Sequence, residues 1–187
     1  MREDPRYAFR HSILTNETHW SIADGALIER DGAAETRIPL TDVTSLRLDF
    51  DPSRVETNRY RCVLRCANGR EIPLLSVSYT GFADFEDRGA AYSAFVAALI
   101  AALARHNPAC RFLAGKAKAT YIPEILLLAV SAVMLLFILL LMGIPLIGIA
   151  LLKLGLVAAL FPAARDYIAR NRPRTFAPDA PPADLLP

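Results

Sequence analysis

From His19 to Tyr79 apolar and polar residues alternate with a period of two, broken at turn residues, and the period then lengthens to that of a helix. The segments HWSIAD, ALIERD, ETRIPL, TSLRLDF, RYRCVLRCA and REIPLLSVSY read as short strands, and YAFRHSIL supplies a seventh. Asp31–Gly32 and Asn68–Gly69 read as tight hairpin turns, since glycine accepts the positive φ that such turns require. Leu46, Leu48 and Phe50 share one strand face, with Arg47 and Asp49 on the other; Cys62, Leu64 and Cys66 likewise oppose Arg61, Val63 and Arg65. Strands buried on one side follow from that pattern. In RGAAYSAFVAALIAALARH, Tyr92, Phe95, Val96, Leu99 and Leu103 recur at helical spacing. The opposite face is nearly all alanine, small enough for another helix or a membrane surface to approach, and Asn107–Pro108 ends the helix.

Beyond Glu124 the pattern changes again. No charge occurs between Glu124 and Lys153, a run well beyond the ~18 apolar residues that mark a spanning helix. One straight helix from Glu124 to Pro162 would be about 58 Å long, roughly twice the hydrocarbon thickness. Gly143, Pro145 and Gly148 in MGIPLIG are residues that stop, turn and restart helices. Two antiparallel spans are predicted, about Tyr121–Met142 and Gly148–Ile168. Lys153 would lie about 8 Å inside the second span, either snorkelling to the headgroups or facing a carboxylate on a partner's helix. Arg105, Arg111, Lys116 and Lys118 precede the hairpin, and Arg165, Arg170, Arg172 and Arg174 follow it against Asp166 alone. The turn between the spans is uncharged, so both termini are expected in the cytoplasm of a multi-pass protein of the inner (plasma) membrane. The N-terminus lacks the order of a signal peptide, and residues 1 to about 115 are expected to stay on the cytoplasmic side.

Composition narrows the chemistry. A formal net charge of +2 is too small to argue for nucleic acid. Cys62 and Cys66 on one strand lie about 13 Å apart, too far for a disulfide or a shared metal, and read as core thiols. Cys110 reads as a free thiol, with acylation as the alternative. His11, His19 and His106 have no ligand spacing. Asp49 and Asp51 form D-x-D, a pattern that elsewhere holds a divalent metal, but here they suit a solvated loop before Pro52. No phosphate-binding loop or nucleophile elbow occurs, and no catalytic residue, metal or cofactor is assigned.

Arginines cluster instead. Arg54, Arg59, Arg61 and Arg65 surround one loop and strand, a set able to hold lipid phosphates or an acidic protein surface. The competing account is an ordinary solvated face balanced by Asp49, Asp51, Glu56 and Glu71. Pro173, Pro178, Pro181, Pro182 and Pro187 leave residues 169–187 extended or disordered, either adding to a strand edge or trailing in solution.

Six or seven antiparallel strands followed by one helix describe an α+β domain, a small barrel or bent sheet capped by its C-terminal helix, over residues 1–115. The stretch WSIADGALIERDGAAETRIPLTDVTSLRL, the helix beginning near AAYSAFVAAL and the hairpin at 121–168 together resemble the bacterial PH-like (pleckstrin-homology-like) membrane proteins with two transmembrane helices. That resemblance implies a binding or assembly role without catalysis. The expected function is a non-enzymatic membrane protein whose PH-like domain binds a membrane-protein partner or lipid headgroups at the cytoplasmic face. The alternative is an accessory subunit of a membrane enzyme or transporter, packed against partner spans through Lys153.

Overall fold

The structure is a computed structural model that describes residues 5–12, 15–53, 56–81, 84–141, 155 and 162–187. The chain divides into two compact units, one of residues 1–115 with 174–187, the other of residues 116–173.

In the first unit, β1 (Arg6–Arg10), β2 (Glu17–Ala23), β3 (Ala26–Asp31) and β4 (Ala34–Pro39) form an antiparallel meander. The β2–β3 connection is the tightest kind of hairpin: Ala23 pairs with Ala26, and Asp24 and Gly25 between them both have positive φ, 49° and 70°. This Asp-Gly pair carries the signature that predicts a turn at Asp31–Gly32; there, however, Asp31 pairs with Ala34 and the two-residue turn is Gly32–Ala33, with Gly32 at φ 59°. A side chain at Gly25 would also crowd His106, whose Nδ1 lies 3.3 Å from a Cβ built there.

A 3₁₀ turn at Leu40–Asp42 leads to β5 (Val43–Phe50), which pairs antiparallel with β6 (Tyr60–Cys66), and β6 with β7 (Glu71–Leu75). Asn68–Gly69 lies in the β6–β7 turn, with Gly69 at φ 84°. The segment read as one strand, REIPLLSVSY, is two: it breaks at Ser76, and β8 (Val77–Gly81) pairs with β9 (Asp84–Asp87) in a separate two-stranded sheet. Ser76 explains the break, because its Oγ accepts from the Tyr60 N–H at 2.9 Å and its own N–H donates to the Tyr60 carbonyl.

Helix α1 (Gly89–His106) buries Tyr92, Phe95, Val96, Leu99 and Leu103, the residues that its period selects. Tyr7 joins them, its ring centroid 5.7 Å from Phe95 and 6.1 Å from Tyr92. At the helix end Asn107 donates through Nδ2 to the carbonyls of Leu40, Thr41 and Val43, tying α1 to the start of β5. The inward sides of β5 and β6 match the alternation, with Leu46, Leu48, Phe50, Cys62, Leu64 and Cys66 all buried.

Two features depart from a sheet closed by a last helix. After α1 the chain forms β10 (Arg111–Ala114), which adds parallel to β5, a pairing that needs a crossover such as α1 provides. Then β11 (Arg174–Thr175) adds antiparallel to β10. The architecture is α+β, and the described strands form sheets of four, five and two strands without closing into a barrel.

The tail belongs to this unit. Of the two readings of residues 169–187, extended or disordered, Arg174–Thr175 takes the extended one and adds to a strand edge of its own domain. Phe176 packs on Phe112 with centroids 5.7 Å apart, and Leu185, in a 3₁₀ turn at Ala183–Leu185, is wholly buried. Proline richness here goes with docking because a pre-extended segment loses little entropy on being held.

In the second unit α2 spans Lys118–Leu141, and α3 covers 162–171. The first predicted span, Tyr121–Met142, thus coincides with a helix that begins three residues earlier. Gly143, Pro145, Gly148 and Lys153 lie outside the described residues.

Candidate functional site

Among the described helices α1 and α2 are both long and apolar enough to cross a membrane, and their surroundings separate them. The apolar side of α1 is spent on the core. By contrast Ile122, Leu126, Leu127, Val133 and Phe137 of α2 are all more than half exposed. Removing these and the neighbouring Leu128, Val130 and Met134 from water, at ~1.5 kcal/mol or more per side chain, amounts to on the order of 10 kcal/mol.

At the base of α2 lies a polar cluster. Lys116, almost wholly buried, contacts Glu124 Oε1 through Nζ at 2.9 Å. The Tyr167 hydroxyl of α3 donates to Glu124 Oε2 at 2.5 Å, and Lys116 Nζ stands 5.3 Å from the centre of the Tyr167 ring. The Lys116 N–H donates to the carbonyl of Asn171 at 3.0 Å, and the Tyr121 hydroxyl to that of Ile168 at 3.2 Å. These bonds hold the first turn of α2 against the last turns of α3, so the two ends of the apolar segment lie side by side. Burial opposes the Lys116 charge, but its bonds to Glu124 and Tyr167 outweigh burial and raise its pKa, keeping it protonated above the ordinary lysine range. Lys116 entered the sequence reading only as a flanking charge. Its signal was faint: Glu124 is the last acid before the apolar run, eight positions on.

The strands point the same way. Because β10 leads to α2 and β11 follows α3, the chain leaves the first unit and returns to it on paired neighbouring strands.

The arginine set has a different character from a vacant phosphate fork. Arg54 lies outside the described residues. Arg59 donates through Nη2 to Asp51 Oδ2 at 2.6 Å and through Nε to the Asp51 carbonyl at 2.8 Å. Arg61 makes two 2.9 Å bonds to the carboxylate of Asp49, and Arg65 pairs with Glu71. Asp49, expected beside solvent, is 2% exposed under the Arg61 fork. The bond to Asp49, acting against burial, raises the Arg61 pKa. Three arginines are therefore brought together on one sheet face, each already bonded to a carboxylate. Arg47 stands on the same face and donates to the Gly115 carbonyl at 2.9 Å, and burial lowers its pKa. Asp49 and Asp51 are taken up by arginine rather than turned together toward a shared ligand.

The three thiols, Cys62, Cys66 and Cys110, are free and buried, and burial raises the pKa of each. The alanine face of α1 borders a cleft of about 460 Å³ lined by Ala98, Ala101, Ala102, Ile22 and His106. Comparison with protein-family models, with curated proteins and with solved structures gives no match.

Proposed function

We propose that this chain is a non-catalytic integral membrane protein, an α+β domain of PH-like character held at the cytoplasmic face of the inner membrane by a helical hairpin, where it binds a membrane-protein partner or lipid headgroups. The observation that carries the reading is α2: a helix of 24 residues with large apolar side chains left outward is stable in water only if lipid or another protein covers it. The latch of Lys116, Glu124 and Tyr167 supports a hairpin, because it puts both ends of the apolar segment at one level. The arginine face supports a surface role less directly, since each pair with a carboxylate must loosen before it engages a headgroup.

Gentle extraction of the full chain from its native membrane, with identification of copurifying proteins and lipids, tests the reading. Anionic lipid alone, weakened when Arg59, Arg61 and Arg65 are all changed to Ala, is the result expected of a surface-binding module. A stoichiometric membrane protein that is lost on Lys153→Leu would replace that reading with an accessory subunit. Recovery of the chain in the soluble fraction would refute membrane residence altogether.

A further inference from the structure

The outer side of the four-stranded sheet carries a cleft of about 440 Å³. Register assembles it. Ala8, His19 and Arg30 lie directly opposite one another on β1, β2 and β3, and Arg6 lies opposite Ser21 one pleat along. Alternation sends Tyr7 and Trp20 of the same strands into the core, where both are buried. Small side chains at Ala8 and Ser21 leave a floor, and Arg6, His19 and Arg30 stand around it.

The charge balance within the cleft is positive. Glu17, the nearest acid on β2, is engaged by Arg88 at 2.6 Å. Glu35 holds Arg30 by its Nε at 2.7 Å, which leaves both terminal guanidinium nitrogens able to donate. Arg6 and His19 have no ion pair among the described residues. Two guanidinium groups, an imidazole and a hydroxyl offer only hydrogen-bonding groups suited to a multiply charged oxyanion. The volume exceeds that of a bare phosphate and falls in the ordinary range for small-ligand sites, roughly 300–1,000 Å³.

We propose that this cleft binds a phosphate ester through Arg6, Arg30, His19 and Ser21. The ester is either a lipid headgroup or a free metabolite; the lipid form rests on the membrane reading above, and the soluble form does not.

Calorimetric titration of the full chain, purified in a non-ionic detergent, with glycerol 3-phosphate and separately with dihexanoyl phosphatidic acid provides the test. At least one probe is expected to bind, with affinity lowered about tenfold or more by Arg6→Ala and again by Arg30→Ala. Arg111→Ala, on β10 of the other sheet, should leave it unchanged. Both cleft arginines are exposed, and melting of each variant checks that the fold is retained. Binding of the diacyl probe alone assigns a lipid headgroup, and binding of glycerol 3-phosphate assigns the free ester. The assignment is overturned if neither probe binds at millimolar concentration, or if binding survives the double arginine variant. It is also overturned if the cleft arginines prove necessary only for capture of an acidic protein. Recovery of the chain in the soluble fraction would remove the membrane reading and leave the glycerol 3-phosphate result standing.

Discussion

Cys62 and Tyr92 are both wholly buried in the core, and the Tyr92 hydroxyl has no hydrogen-bond partner among the described residues. Burial is the leading cause that raises both pKa values, and it raises that of Tyr7 as well. The sign follows from linkage. Below the ordinary thiol value of 9.0 these groups are protonated in both states and the full stability is present. As pH rises past it the unfolded chain ionises while the folded core does not, and stability falls by ~1.4 kcal/mol per pH unit for each group involved. Chemical unfolding of the full chain at stepped pH is expected to show this fall beginning near pH 9 and steepening above the tyrosine value of 10.0. Tyr92→Phe should be about 1 kcal/mol more stable at neutral pH, since it removes a buried hydroxyl without a partner, and should decline less steeply in alkali. A profile flat from pH 8 to 11 would contradict the burial of these groups.

At the scale of elements, β11 with its following turn, and the meeting of α2 with α3, each yield a test. Leu185 is wholly buried, and Phe176 stacks on Phe112. Truncating a buried leucine costs about 2–5 kcal/mol, so Leu185→Ala should lower the stability of the first unit by that order. A tail trailing in solvent would show no change. In the latch, Lys116→Met removes the ammonium that stands 2.9 Å from Glu124 Oε1. The pair is mostly sheltered, with side chains 10% and 31% exposed, and a loss of about 2–4 kcal/mol is expected. Adding Glu124→Leu should restore most of it, because an apolar pair has no charge to strand. Thermal unfolding in detergent measures both; if the single variant melts like the parent, the latch does not hold the helices.

At the scale of the whole chain, β10 and β11 pair antiparallel with the apolar excursion of residues 116–173 between them in sequence. Strands so paired are on one side of any membrane that the excursion enters. Reporter fusions at Gly143–Pro145 and after Pro187 are expected to report opposite sides, with the second cytoplasmic. Equal readings at both sites would mean a hairpin that dips into one leaflet without crossing.

Sequence periodicity by itself determined five of the strands closely, β2 to β6, the helix at 88–106, the apolar run and the inward sets Leu46, Leu48, Phe50 and Cys62, Leu64, Cys66. Each is a local property: neighbours along the chain declare which face is apolar, and that face must be buried. Only tertiary structure decided the parallel addition of β10 to β5, the docking of Leu185, the burial of Asp49 beneath Arg61, the pairing of Arg59 with Asp51 and of Arg65 with Glu71, and the meeting of Lys116 with Tyr167. These depend on which residues far apart in the chain become neighbours, and alternation carries no information about that. Asp49 shows the limit well. Its strand position put it on the polar face, as the alternation requires, but the Arg61 side chain from β6 closed over it, and a residue on an outward face became a buried one.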